Sequence, residues 1–175
     1  MTEDVSDDQP PGLLAVSRWG VLAYLVAAVA TLLDQASKYW ILDVLRLPER
    51  PSIQVLPFFH LTMVWNQGVS FGMLRANSDA GRWFLVAGAF VIVAALIVWA
   101  RRLTRPLLAV AVGLMLGGAL GNNLIDRVRI GAVADFLDFH PIFPWVFNIG
   151  DSAISVGVAL LFLDMYLESK KPSAT

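Results

Sequence analysis

Cysteine is absent from all 175 residues, which excludes disulfides, thiolate metal sites and a cysteine nucleophile. Histidine occurs only as His60 and His140, in separate segments, and no HExxH or comparable zinc spacing exists. Charge is scarce too. Charged residues make up 15% of the chain and the formal net charge is −1, which leaves no basic field for nucleic acid. No cofactor, no metal and no nucleic-acid partner are expected.

Apolar residues are abundant instead. The chain is 57% hydrophobic with mean hydropathy +0.65, too apolar for an ordinary soluble domain and long enough for one compact membrane domain. The first residues are acidic (Glu3, Asp4, Asp7, Asp8) and end in Pro10-Pro11-Gly12. A signal peptide starts with a positive region, so residues 1–18 read as a disordered cytoplasmic tail.

Four apolar runs stand out, Trp19 to Leu33, Trp83 to Ala100, Pro106 to Leu120 and Phe147 to Tyr166. A span needs about 20 residues, so the first and third must extend into polar neighbours. The expected fold class is an all-α membrane protein. Its four transmembrane helices cover about 19–38, 83–100, 106–125 and 148–166, inside one domain at 19–166, with a second cytoplasmic tail at 167–175. Three of the four carry polar groups at one end, and those ends fall on one side. The loop between the second and third helices is short and basic (Arg101, Arg102, Arg105), which places it and both termini in the cytoplasm. Between the first two helices, Phe59, Leu61, Met63 and Trp65 alternate with His60, Thr62, Val64 and Asn66. That period of two predicts a strand, and an amphipathic β-platform on the outer membrane surface is expected over about 41–75. Trp40, Trp65, Trp83 and Trp145 fall near the proposed interfaces, and Asn77 or Ser78 can cap the second helix.

Gly113, Gly117 and Gly121 recur every four residues, a doubled GxxxG stripe that lets helix backbones approach closely. Asn122 and Asp126, and likewise Asn123 and Arg127, are expected to share faces at the polar tip of the same helix. They either pair to stabilise a helix end or orient catalytic groups. Asp34 and Lys38 are one turn apart and read as an ion pair at the interface. Asp135 and Asp151 lie at the polar rim, where ionisable groups are costly and functional by default. Two carboxylates sharing a site point to acid/base chemistry. Asn148, Asp151 and Ser155 are expected on one side of the fourth helix. Asp138 is three residues from Asp135 and competes with it for the catalytic role. His60 and His140 read as interface residues.

Five stretches occur in order: Asp34-Gln35-Ala36-Ser37-Lys38, Asn66-Gln67-Gly68-Val69-Ser70-Phe71-Gly72, Gly117 through Arg127, Val133-Ala134-Asp135-Phe136, and Phe147-Asn148-Ile149-Gly150-Asp151. Together they resemble lipoprotein signal peptidase, the bacterial type II signal peptidase, over about Asp34 to Ser155. Ser70 and Gly150 stand where that family more often has alanine, and both swaps are small. The resemblance implies an aspartic endopeptidase of the bacterial inner membrane with Asp135 and Asp151 as its dyad. It implies substrate contacts from Asn66, Gly68, Gly118, Asn122, Asp126, Arg127 and Asn148, with Asp34 also important. The implied partners are membrane lipid, globomycin-type inhibitors and a diacylglyceryl-modified prolipoprotein cut just before its lipidated cysteine.

An aspartic dyad shares one proton, because two close carboxylates do not both ionise cheaply. The charged one takes a proton from water, and the protonated one stabilises the oxyanion and protonates the leaving amine. The aromatic segment from Leu137 to Val146 links the two aspartates and is expected to act as a lid. Three rival readings remain at this point. A proton-coupled transporter also uses membrane carboxylates, although no inverted repeat is evident. A metal-dependent transferase would be sensitive to chelators. A structural bundle would tolerate loss of Asp135.

Overall fold

The computed structural model describes residues 15–68 and 79–171. The acidic opening residues, the motif beyond Gly68, the caps Asn77 and Ser78 and the last four residues lie outside the described residues.

Among the described residues, four helices are long and apolar enough to cross a membrane. Helix α1 (Arg18–Tyr39) begins at Ser17, whose hydroxyl accepts the Gly20 N–H at 2.9 Å. It continues through a π-helical turn, Trp40–Val44, and a short 3-10 turn, Leu47–Glu49. Helix α2 spans Asp79–Ala100. Helix α3 starts at Pro106, whose fixed φ suits a first helical turn, and runs as an α-helix to Gly118. It then widens into a π-helix over Ala119–Asp126 and closes with Arg127–Arg129. Helix α4 spans Ile149–Ser169. Each predicted span coincides with one of these helices, and α2 and α4 extend a few residues beyond their apolar runs.

Helix α3 is the central helix, packed chiefly on α1 and α4. Its glycine stripe explains why. A Cβ on Gly113 would lie 2.6 Å from the Ala23 carbonyl, and one on Gly117 would lie 2.6 Å from that of Ala27. On the other side Gly157 of α4 meets the Ala111 carbonyl as closely, with 2.7 Å to a Cβ. Small residues thus replace side-chain knobs with backbone contact, the packing mode expected where lipid offers no hydrophobic gradient. Ala23, Ala27, Val112, Leu116 and Val93 form the buried core around these contacts. At the end of the bundle bearing the basic loop, Ser17 donates to the Leu103 carbonyl at 2.6 Å, and Arg105 pairs with Asp164 at 2.6 Å.

The opposite end carries a three-stranded antiparallel sheet in the order β1 (Ile53–Leu56), β2 (Phe59–Asn66), β3 (Val133–Asp138). The alternating run forms β2 as predicted. The third strand was not anticipated: Asp135 lies on it, paired across from Val64. Ile41, Leu47 and Phe136 form a second small core, with Leu61, Met63 and Ile149 against it. This core locks the sheet onto the ends of α1 and α4. Trp40, Trp65, Trp83 and Trp145 are all exposed, as side chains of an aromatic belt are.

Candidate active site

Asn148 ends the connection from β3 and caps α4. Its side-chain oxygen accepts the Asp151 N–H at 2.9 Å, while Asp151 Oδ2 accepts the Asn148 N–H at 3.3 Å. This reciprocal capping box satisfies two donors that a helix start leaves free, and it places Asp151 in the first turn. The same Asn148 donates through Nδ2 to Asp135 Oδ1 at 2.6 Å. One asparagine therefore holds both aspartates. Each carboxylate has a further amide partner: Asn66 donates to Asp135 Oδ2 at 3.1 Å, and Asn122 donates to Asp151 Oδ1 at 2.8 Å.

The two aspartates line one cavity of about 520 Å³. Asn66, Ser152 and Ser155 supply its remaining polar groups, and Phe143, Trp145, Phe147, Ile154 and Val156 its apolar wall. That wall includes much of the connection between the aspartates, where Phe59, Phe139 and Phe147 stack in series at 4.7 and 5.7 Å. Asp135 is 3% exposed. Burial and then the neighbouring charge of Asp151 push its carboxyl up to about 7, against the opposing pull of Asn66, Asn148 and Lys38. A carboxyl that titrates near neutrality beside a second one is suited to proton transfer.

Behind the cavity lies a buried polar layer. Lys38 pairs with Asp34 at 2.8 Å and with Asp126 at 2.7 Å. Gln35 donates to Asp126 at 2.9 Å, and Asp34 accepts the Gly150 N–H at 2.9 Å. Arg127 donates to the Gly68 carbonyl, and Gly68 N–H in turn donates to Asn66 Oδ1 at 3.0 Å. Arg82 holds the Arg127 carbonyl at 2.8 Å. Of the residues named for substrate contact, Asn66 reaches the cavity surface. Asn122, Asn148, Asp34, Asp126, Arg127, Gly68 and Gly118 stand around or behind it. Gly118 packs on the Gly150 carbonyl and Ile154.

Three local expectations need correction. Asn123 does not share the inward face with Arg127; Asn122, Asp126 and Arg127 are the buried ones. In an α-helix Asn122 and Arg127 would sit about 140° apart. The π-helical stretch closes its backbone hydrogen bonds between residues five apart, a wider turn that brings the two toward one side. Asn148 is not a residue on the face of α4 but its cap. Gly150 is also more than a small swap, since a Cβ there would lie 2.7 Å from Asn122 Oδ1.

Asp138 is separate from this group. A register irregularity in the β2–β3 pairing, between Leu61 and Val64, accompanies its different setting. Thr62 donates to it at 2.7 Å, and His140 contacts its other oxygen. Its environment costs some desolvation, but these hydrogen bonds win and hold its carboxyl below the ordinary value. Gln35 and Arg82 were not singled out in the sequence. Gln35 lies inside the first motif, whereas nothing in the sequence around Arg82 marks it. Among the described residues no three His, Cys, Asp or Glu side chains converge as metal ligands would.

Residues 26–167 match the family model for signal peptidase (SPase) II, peptidase family A8. A lipoprotein signal peptidase of Caulobacter vibrioides is 54% identical over 158 residues, covering 90% of this chain and 94% of that protein. One of Beijerinckia indica is 45% identical over 148 residues, covering 83% of this chain and 88% of the other. A bacterial membrane enzyme structure determined in meso at 2.3 Å resolution superposes with TM-score 0.75 at 28% identity. That match covers 87% of this chain and 92% of the solved one.

Proposed function

The chain belongs to the signal peptidase II family, and on that premise we propose that it removes signal peptides from diacylglyceryl-modified bacterial prolipoproteins, cutting just before the lipidated cysteine. The observation that carries the aspartic mechanism is the shared cavity. Asp135 from β3 and Asp151 from α4 both reach it and are tied to each other through Asn148.

In this reading the pair holds one proton near neutral pH, on Asp135. Asp151 is ionised, at a helix start where the dipole favours negative charge. It takes a proton from a water molecule as the water oxygen attacks the scissile carbonyl carbon. Asp135 donates a hydrogen bond to the developing oxyanion and then gives its proton to the amide nitrogen. The C–N bond breaks, the carbonyl re-forms as a carboxylic acid, and the amine departs. The pair ends with one proton, now on Asp151, and re-equilibrates. Asn66, Asn122 and Asn148 keep both carboxylates aimed throughout.

The orientation follows from charge. The basic loop Arg101–Arg105 lies at the end of the bundle away from the cavity. Both termini are then cytoplasmic, and the site sits near the outer leaflet. Its apolar wall lets acyl chains stay in lipid while the peptide reaches the dyad. The segment 137–146 acts as the lid over the site, and globomycin-type inhibitors compete there with substrate.

The test uses purified protein in detergent or lipid with a diacylglyceryl-modified prolipoprotein and excess chelator. Cleavage before the lipidated cysteine is expected for wild type and for Asp138→Asn, and its loss for Asp135→Asn and Asp151→Asn. Equal cleavage by all variants, or none by wild type once chelator is added, would overturn the dyad.

A further inference from the structure

Lys38 reaches the site from behind. It is 3% exposed and donates to three oxygens: Asp34 Oδ2 at 2.8 Å, Asp126 Oδ2 at 2.7 Å and Asn122 Oδ1 at 2.5 Å. Pairing two buried aspartates explains the first two contacts as charge compensation. It does not explain the third. An ammonium has donors only, so the Asn122 atom facing it must be the amide oxygen. The NH2 group is thereby turned the other way, where it donates to Asp151 Oδ1 at 2.8 Å. A second route runs through Asp34. Its Oδ2 holds Lys38, and its Oδ1 accepts the N–H of Gly150, the residue next to Asp151. Two links thus run from one ammonium toward Asp151, one to its carboxylate and one to the backbone of the residue before it.

We propose that Lys38 is a positioning residue for the peptidase reaction, fixing the Asn122 amide so that it presents its NH2 to Asp151. The inference rests on the dyad reading above. Lys38 also contributes the positive charge behind both aspartates. The charged groups facing this layer are Asp34, Asp126, Arg127, Asp135 and Asp151, carried on α1, α3, β3 and α4. With the ammonium gone, the Asn122 amide is free to flip and turn its oxygen toward Asp151. The ionised general base then loses a donor and faces an acceptor.

The experiment compares Lys38→Met, Lys38→Met with Asp34→Asn, and Lys38→Arg on the lipidated prolipoprotein. The double variant keeps the charge count of the layer. Each is assayed as monodisperse protein with wild-type helicity, so a loss of folded material does not enter kcat. For the neutral variants kcat falls on the order of 10–100-fold, as for a misaimed catalytic group, while KM changes much less. For Lys38→Met both limbs of the pH profile move to higher pH, because a positive charge that favours ionisation has gone, and in the double variant, which also loses a negative charge, they move less. Lys38→Arg keeps the limbs in place with an intermediate kcat. In an Asn122→Ala background the same substitutions have little further effect on kcat, the non-additivity of residues acting through one another.

Folded neutral variants with wild-type kcat and pH profile would overturn the proposal, as would additive losses in the Asn122→Ala background. Should neither neutral variant fold, Lys38→Arg decides: a kcat loss that vanishes in the Asn122→Ala background supports the coupling. No loss, or an additive one, overturns it. Asp135→Asn and Asp151→Asn run beside these variants. If they too retain cleavage, it is the dyad reading that has failed rather than the role of Lys38.

Discussion

Replacing Asp135 by asparagine keeps the size of the side chain and removes the one charge that the cavity disfavours most. In the folded protein this carboxyl titrates near 7 rather than at its ordinary 3.8, through burial first and the Asp151 charge second. The folded state therefore keeps a proton that the unfolded chain has already released. The stability from that difference is fully present below pH 3.8 and is lost as pH rises through about 7. Between pH 5 and pH 8 wild type should lose about 2–3 kcal/mol relative to Asp135→Asn, at 1.36 kcal/mol per unit of pKa difference. In a domain of this length that corresponds to roughly 5–10 °C in Tm. The assay is thermal unfolding of both proteins in one detergent, at pH 5 and pH 8, read by intrinsic tryptophan fluorescence. The gap between their melting temperatures should widen in favour of the variant at pH 8. Asp151→Asn supplies an internal control: it removes the second cause of the shift, so the pH dependence carried by Asp135 should move to lower pH. A gap that is equal at both pH values would refute the claim that Asp135 is buried beside an ionised neighbour.

Three further outcomes follow from the packing. Gly117→Val places a side chain where a Cβ already lies 2.6 Å from the Ala27 carbonyl and 2.7 Å from Ala30 Cβ. Unfolding in detergent should show a loss of about 1–3 kcal/mol, and no loss would mean that α1 and α3 are not in backbone contact. Arg105→Ala strands Asp164, which is 5% exposed. The cost should be about 2 kcal/mol, below the ~3–5 of a fully buried pair because Arg105 is 30% exposed, and Asp164→Asn in the same background should recover most of it. Phe143→Ala opens the cavity wall where Phe143 meets Trp145 at 5.3 Å and Phe147 at 5.6 Å. KM for the lipidated substrate should rise about tenfold with kcat changed less, roughly 1.4 kcal/mol of lost contact. Unchanged kinetics would mean that this wall does not touch substrate.

Much of this architecture was legible locally. The spans follow from run length, because each apolar stretch must satisfy its backbone within itself in lipid. The glycine stripe at 113, 117 and 121 identified the close helix contact, since only a four-residue period puts small residues on one face. The alternation at 59–66 marked β2, but Val133–Asp138 carries no such pattern. Apart from Leu137 all of it is buried, and a strand covered on both faces does not alternate. The motifs named the polar residues without saying which of them touch. Asn122 and Arg127 come to the same side only because the backbone of α3 widens after Gly118. Lys38 read as half of a local ion pair with Asp34, four residues away. Its contacts with Asn122 and Asp126 span 84 and 88 positions and exist only once α1 lies against α3. The sequence by itself determined the membrane class, the small-residue face of α3 and the inventory of carboxylates and amides. Tertiary structure alone decided which amide holds which carboxylate. Hydrophobic run length and residue period are properties of neighbouring positions, whereas a hydrogen bond between side chains of different elements depends on how those elements pack.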